Sequence, residues 1–219
     1  MRLLPACALT LGFAIIPASV PAQETGAITP TRKVELFNGH SLAGWTFVSR
    51  DTNAPAGAIW SVTNGEIQCL GKPFGYARTL KAYRDYRLHA EWRFPLAPGN
   101  SGVFLHLNPP DKVWPYCFEA QLLSGEAGEI RMNGGSKANG TTPRHPHFVP
   151  RQKASSEKPI GEWNAYDITC RGNNIIVRVN GILQNTITGT STNAGTIGLQ
   201  AEGGLIQFRN IYLEPLPPN

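Results

Sequence analysis

From Asn164 to Ile187 the chain reads NAYDITCRGNNIIVRVNGILQNTI. Tyr166, Ile168 and Cys170 alternate with polar neighbours, and so do Ile175, Val177 and Val179. This is the two-residue period of strands that lay one face on a core. Asn180-Gly181 divides the second run from Ile182 to Ile187, and Asn-Gly supplies the positive φ angles that a tight hairpin requires. Thr63-Asn64-Gly65 plays the same part between Trp60 to Val62 and Glu66 to Leu70.

Working outward, similar runs cover Lys33 to Phe37, Gly44 to Val48, Arg87 to Phe94, Gly102 to Leu107, Cys117 to Leu123, Gly195 to Gln200 and Leu205 to Leu213, with almost no helical period anywhere. Roughly a dozen short strands separated by Gly, Pro, Asn and Asp predict an all-β, two-sheet sandwich. Gly134 to Gly161 is polar, rich in Gly, Pro, Lys and Arg, and lacks alternation, so it reads as one long loop of the kind that often serves function. No boundary, repeat or linker calls for a second domain.

The composition agrees with a globular chain. Its 219 residues are 41% hydrophobic and 16% charged, with 23 Gly and 18 Pro, which excludes collagen, coiled coil and bulk disorder. Twenty Lys and Arg against fifteen Asp and Glu give a net charge of +5, but the basic residues are scattered, so a nucleic-acid surface is not indicated. Arg2, the apolar run Leu3 to Ile16 and the small residues up to Ala22 read as a secretory signal over 1–22 cleaved near Ala22. Pro5, Gly12 and Pro17 interrupt it, whereas a membrane anchor needs about 20 uninterrupted apolar residues. The expectation is a single domain over 23–219, exported to the periplasm or secreted.

Cys69, Cys117 and Cys170 lie in alternating apolar contexts and read as buried thiols. No Cys/His cluster suggests zinc, and the His145 and His147 pair stands on a polar loop with no carboxylate nearby. The sequence identifies no cofactor; a divalent metal is compatible with it but not indicated. G-x-G-x-x-G after a strand, a Walker loop and a G-x-S-x-G elbow are all missing, which argues against a nucleotide-cofactor enzyme or a serine hydrolase.

Candidate chemistry lies on three strands. Positions i and i+2 share a face, so Glu91 projects with Arg93 and His89, opposite Ala90, Trp92 and Phe94. Glu119 projects with Gln121 and Cys117, opposite Phe118, Ala120 and Leu122. The same alternation puts His106 beside Phe104 and Gly102. Two carboxylates in different environments can divide acid and base roles, and His106 has a side chain that titrates near neutrality. Spacing does not say whether Glu91 and Glu119 face each other. Trp114, Pro115 and Tyr116 offer an apolar platform for a sugar ring or ordinary packing. In Phe208-Arg209-Asn210 alternation sends Phe208 and Asn210 to the side opposite Arg209, a pattern that suits anchoring a closing strand.

Several segments together carry a family resemblance: Phe37-Asn38-Gly39 through Gly44-Trp45, YRLHAEWR from Tyr86 to Arg93, Gly99-Asn100-Ser101-Gly102-Val103, Trp114-Pro115 through Glu119-Ala120-Gln121-Leu122, Gly161-Glu162-Trp163-Asn164, Val179-Asn180-Gly181, Ile197-Gly198-Leu199-Gln200 with Glu202-Gly203, and Phe208-Arg209-Asn210-Ile211. In this order, from about Val34 to Pro215, they resemble the 3-keto-disaccharide hydrolase family. The resemblance implies a concanavalin A-like jelly-roll sandwich that cleaves glycosides whose sugar carries a ketone at C3, formed beforehand by a separate sugar 3-oxidoreductase. It implies removal of the C2 proton followed by elimination and hydration. The corresponding roles are Glu119 or His106 as base, Arg93 or Gln121 polarising the ketone and Glu91 as acid or orienter, with Asn100, Ser101, Gln200 and Glu202 binding sugar hydroxyls beside Trp114 and Tyr116. The competing expectations are a non-catalytic carbohydrate-binding module and, third, a conventional glycosidase.

Overall fold

Asn164–Arg171 and Asn174–Val179 pair antiparallel, with Tyr166 opposite Val179 and Cys170 opposite Ile175. Asn180 and Gly181, at φ of 49° and 80°, turn the chain into Ile182–Ile187. The structure of the protein, a computed structural model, describes residues 26–218; the leader expected over 1–22 lies outside the described residues.

In chain order the strands are β1 (Val34–Glu35), β2 (Trp45–Ser49), β3 (Trp60–Thr63), β4 (Glu66–Cys69), β5 (Gly75–Thr79), β6 (Tyr86–Arg93), β7 (Gly102–Asn108), β8 (Tyr116–Gln121), β9 (Ile130–Asn133), β10 (Phe148–Val149), β11 (Asn164–Arg171), β12 (Asn174–Val179), β13 (Ile182–Ile187), β14 (Thr196–Ala201) and β15 (Ile206–Pro215). The first sheet has eight strands in the order β13-β12-β11-β6-β15-β4-β3, with β1 on β15; the second has seven, in the order β10-β9-β8-β7-β14-β5-β2. The all-β, two-sheet sandwich expected from the alternation is therefore the fold.

Three strands escaped the sequence pattern. Nearly all of β5 is buried on both faces, and a strand covered on both sides loses its alternation. The strand β9 does alternate, Ile130 and Met132 inward and Arg131 and Asn133 outward, but over only four residues. The two residues of β10 fall inside the stretch expected to be one loop and pair with Ile130 and Arg131.

Between the sheets, Leu88, Trp92, Tyr166, Ile168 and Phe208 of the first pack against Leu105, Phe118, Ile197 and Leu199 of the second. The Trp92 and Tyr166 rings lie 4.6 Å apart. Cys69, Cys117 and Cys170 are buried free thiols, as the sequence indicated. The second sheet is unusual in also carrying buried apolar residues on its outer face, where Tyr76, Phe104, Leu107 and Cys117 form a separate cluster. No helix among the described residues is long and apolar enough to cross a membrane.

His106 overturns a parity argument. Register shifts between Leu105 and Asn108 on the β8 side and between Thr196 and Gly198 on the β14 side, and His106 sits in that bulge at φ 51°. An extra residue in one strand reverses the facing of the residues beyond it. The ring consequently meets Tyr86 of the core edge-on at 5.8 Å instead of joining Phe104 and Gly102. Burial lowers its pKa to about 4, so the imidazole stays neutral. Across the bulge, a Cβ on Gly195 would come within 2.4 Å of the His106 backbone, which leaves room only for glycine.

Replacing the fully buried Trp92 by alanine removes the largest side chain of the core. We expect Trp92→Ala to lower unfolding free energy by about 3–5 kcal/mol, measured by urea denaturation; a loss below ~1 kcal/mol would contradict this packing.

Candidate functional site

The outer face of the second sheet is built from register. Along β8, Cys117, Glu119 and Gln121 point away from the core. Glu119 stands opposite Arg131 of β9 and Phe104 of β7, Cys117 opposite Asn133, and Gln121 opposite Gly102. On β14, Leu199 pairs with Val103 and Gln200 pairs with Tyr76 of β5, which brings Gln200 beside Gly102. A Cβ on Gly102 would lie 2.3 Å from Glu119 Oε1. The missing side chain thus lets the Glu119 carboxylate lie over β7 toward β14.

That carboxylate is only 2% exposed. Its Oε2 accepts a hydrogen bond from Asn133 Nδ2 at 2.6 Å, while its Oε1 is buried with no hydrogen-bond partner among the described residues. The side-chain oxygen and nitrogen of Gln200, and the side-chain oxygen of Asn100, are in the same condition. Buried polar groups are normally paired, so this concentration on one patch marks a place prepared for polar ligand atoms. Burial drives Glu119 up to about 7; the Asn133 bond opposes this, the charge of Glu202 adds to it and Arg131 opposes it. Burial also raises half-buried Glu202, against the pull of Arg131 and of the Gln200 side chain beside it. Two acids whose pKa values are moved toward neutrality stand close enough to influence each other, with Arg131 between them electrostatically.

The surrounding groups hold this patch in shape. Ser101 Oγ donates to the Gln200 carbonyl at 2.7 Å, and Asn100 exchanges backbone hydrogen bonds with Gly203. Gln121 turns its Oε1 onto the backbone N–H groups of Leu122 and Leu123, at 2.9 and 3.1 Å. Arg131 donates to Glu129 at 3.3 Å and lies over the Phe148 ring at 5.1 Å, and the His145 ring packs tilted against Phe148 with centroids 4.6 Å apart. The long polar stretch after β9 therefore borders the patch through Phe148 and His145.

Of the residues singled out in the sequence, Glu119, Gln121, Gln200, Glu202, Asn100 and Ser101 come together here. Trp114 is exposed in the connection from β7 to β8, and Tyr116 directs its hydroxyl to Ser191 at 2.6 Å. His106 is turned into the core. Glu91 and Arg93 belong to β6 in the first sheet, whose inward residues are Leu88, Ala90 and Trp92; they lie on the opposite exterior of the sandwich and cannot share a substrate with Glu119. Glu91 accepts from Arg209 Nε at 2.6 Å and Asn210 Nδ2 at 2.8 Å, and Arg93 donates to Gln207 at 2.6 Å. Asn210, at φ 49° in a bulge of β15, joins Arg209 on one carboxylate, where simple alternation had separated them.

Sequence reading missed Asn133 and Arg131 because β9 is short, although Ile130-Arg131-Met132-Asn133 carries the period. No group of three or more His, Cys, Asp or Glu side chains among the described residues is arranged to hold a metal. A cavity of about 470 Å³, lined by Phe47, Asp51, Ile59 and Trp60, lies at the free edge of β2 and contains none of the site residues.

A family model described as a 3-keto-alpha-glucoside-1,2-lyase-like domain matches residues 32–214. Among solved structures, the chain is similar to a candidate glycosyl hydrolase of Parabacteroides distasonis, at 18% identity and TM-score 0.64, covering 85% of this chain and 94% of that one. It is similar to the carbohydrate binding module CBM66 of Bacillus subtilis, at 11% identity and TM-score 0.56, covering 78% of this chain and 95% of the other. The β-glucanase of Bacillus licheniformis is 16% identical with TM-score 0.55, covering 89% of this chain and 100% of its own. Such likeness shows the concanavalin A-like jelly-roll fold alone. No curated protein matches the chain.

The titration of Glu119 has a consequence for stability. Its folded pKa of about 7 lies above an unfolded value of about 4.3, so the folded state binds more protons in between and stability falls as pH rises through that window. Glu119→Gln removes this loss. Relative to wild type, the variant should gain roughly 2–4 kcal/mol between pH 4.5 and 8 in urea denaturation; a difference that does not change with pH would contradict the assignment.

Proposed function

Because the chain belongs to the family of 3-keto-alpha-glucoside-1,2-lyase-like domains, we propose that it is a glycoside-cleaving enzyme whose substrate carries a ketone at C3 of the sugar. The observation that supports this most is Glu119, a buried carboxylate with one bare oxygen beside an amide, Gln200, whose side-chain nitrogen and oxygen are both without partners.

The chemistry suits such a base. A C3 ketone acidifies the C2 proton, and a group poised near neutral pH is well matched to remove it. Glu119 Oε1 takes the proton, and the electrons of the C2–H bond form an enolate whose oxygen accepts a hydrogen bond from the Gln200 side-chain nitrogen. The enolate then restores the ketone, forms the C1–C2 double bond and expels the aglycone oxygen from C1, which Glu202, raised in pKa, protonates. Water adds at C1, and C2 recovers a proton, completing net hydrolysis without the oxocarbenium-like transition state of ordinary glycosidases. Asn133 keeps Glu119 aimed by binding its other oxygen. Arg131 offsets the negative charge of the two carboxylates. His106, Glu91 and Arg93 have no part in this scheme, because each is held elsewhere.

The ketone has to be made before this step by an oxidoreductase acting on the C3 hydroxyl. A carbohydrate-binding module is the second reading, favoured by the similarity of the fold to a binding module of Bacillus subtilis.

The test is aglycone release from a 3-keto-glucoside by the purified protein, with and without chelator. We expect release by wild type and a loss of about a hundredfold or more in Glu119→Gln with the fold retained. Equal release by both proteins would reject Glu119 as the base. Binding without release would favour the module, and release from the unoxidised glycoside alone would favour a conventional glycosidase.

A further inference from the structure

Between Asn108 and Pro115 the chain joins neighbouring strands, yet it does not turn back directly. It reaches from the β7 end across β14 to β5, where Asp111 is fastened. Asp111 Oδ1 accepts from Arg78 Nε at 2.8 Å and from the Tyr76 hydroxyl at 3.0 Å, and Oδ2 accepts from Arg78 Nη2 at 2.7 Å. A two-point carboxylate–guanidinium pair fixes direction as well as distance. On β14, the strand between β7 and β5, Gly198 pairs with Phe104 on one side and Arg78 on the other.

The covered surface is unlike an ordinary sheet exterior. Tyr76 and Phe104 are completely buried, with ring centroids 5.5 Å apart edge to face, although they point away from the core between the sheets. Both are continuous with the candidate site by register: Phe104 lies in the row Arg131, Glu119, Phe104, Gly198, Arg78 and Thr46, and Tyr76 pairs with Gln200 in the neighbouring row. The bare atoms of Glu119 and Gln200 therefore lie on one side of the crossing segment, and an aromatic and polar floor continues beneath it.

We infer that the 108–115 segment is the end wall of the sugar site, and that Asp111, through Arg78 and Tyr76, is the residue that sets how many sugar units the site accepts on that side. The inference rests on the reading of the Glu119 patch as a sugar site, whether or not that site cuts what it binds. With the clasp in place, the groove stops beside Phe104. Once the clasp is broken, Tyr76 and Phe104 are open to a further pyranose, whose apolar face stacks on aromatic rings while its hydroxyls meet the polar strand edge at Thr46. Asp111 is a specificity-determining residue that acts by position and has no contact with the reacting atoms.

The test is calorimetric binding of maltose and maltotetraose, with cellobiose and cellotetraose as a second series, to wild type, Asp111→Ala and Arg78→Gln. The two variants break the same clasp from opposite sides, and thermal melting checks that each is folded. Wild type should bind the two lengths of the preferred series within about twofold, and both variants should bind the tetrasaccharide about tenfold tighter than the disaccharide. Affinity that rises with length in wild type, variants with the wild-type length dependence, or no binding of either series by any of the three proteins would overturn the inference. Failure of aglycone release with the length step preserved would remove the enzymatic reading and leave this one standing.

Discussion

A carboxylate closed off from water on the outer face of a sheet is the constraint on which the rest of the site depends. Glu119 reaches its position because Gly102 has no side chain to stop it, and it is kept there by one hydrogen bond from Asn133. Desolvation of an acid whose charge is only partly offset, here by Arg131, is unfavourable, and it raises the pKa until the neutral form is populated at neutral pH. The sandwich tolerates this because the core between the sheets supplies stability independently. That unfavourable local energy suits the group to the base role proposed for it.

The opposite exterior shows what the same residue type becomes when it is paired. Burial pushes Glu91 up as well, but hydrogen bonds from Asn210 and Arg209 and the Arg209 charge outweigh it, so the carboxyl is held below its ordinary value. Next to it His89 bonds Asp167 at 3.0 Å and stacks on Tyr212 at 4.8 Å, and the Asp167 bond raises its pKa. The guanidinium groups of Arg93 and Arg209 both lie over the Trp163 ring, at 4.5 and 4.0 Å from its centre. These groups cross-link β11, β6 and β15 on their solvent side. Their polar atoms answer one another and leave little for a ligand, whereas Glu119, Gln200 and Asn100 leave theirs bare.

Period and turn chemistry made much of the fold legible. The Asn180-Gly181 hairpin, the alternation in β11 and β12, and the facing of Glu119 with Gln121 all come from local rules that the structure obeys. The features that stayed hidden are non-local. Parity tells which face of a strand Glu91 occupies but not which sheet that strand joins, so Glu91 and Glu119 could not be separated by spacing. His106 was misplaced because a bulge shifts parity without a mark in the neighbouring sequence. The strand β5 was invisible because cover on both faces erases the pattern, and its cover on the outer face comes from a loop more than thirty residues away in the chain, at Asp111. The sequence resemblance implies a substrate class, and the geometry separates the two carboxylates: Glu91 is paired and Glu119 keeps one bare oxygen.

The most direct measurement is the fate of hydrogen at C2. When a 3-keto-glucoside is turned over in deuterium oxide and quenched early, the account predicts deuterium at C2 of the released sugar, above the level in an enzyme-free control, because Glu119 must remove that proton before the aglycone leaves. Released sugar that keeps its original C2 hydrogen would contradict proton abstraction as the first step and, with it, the role given to Glu119.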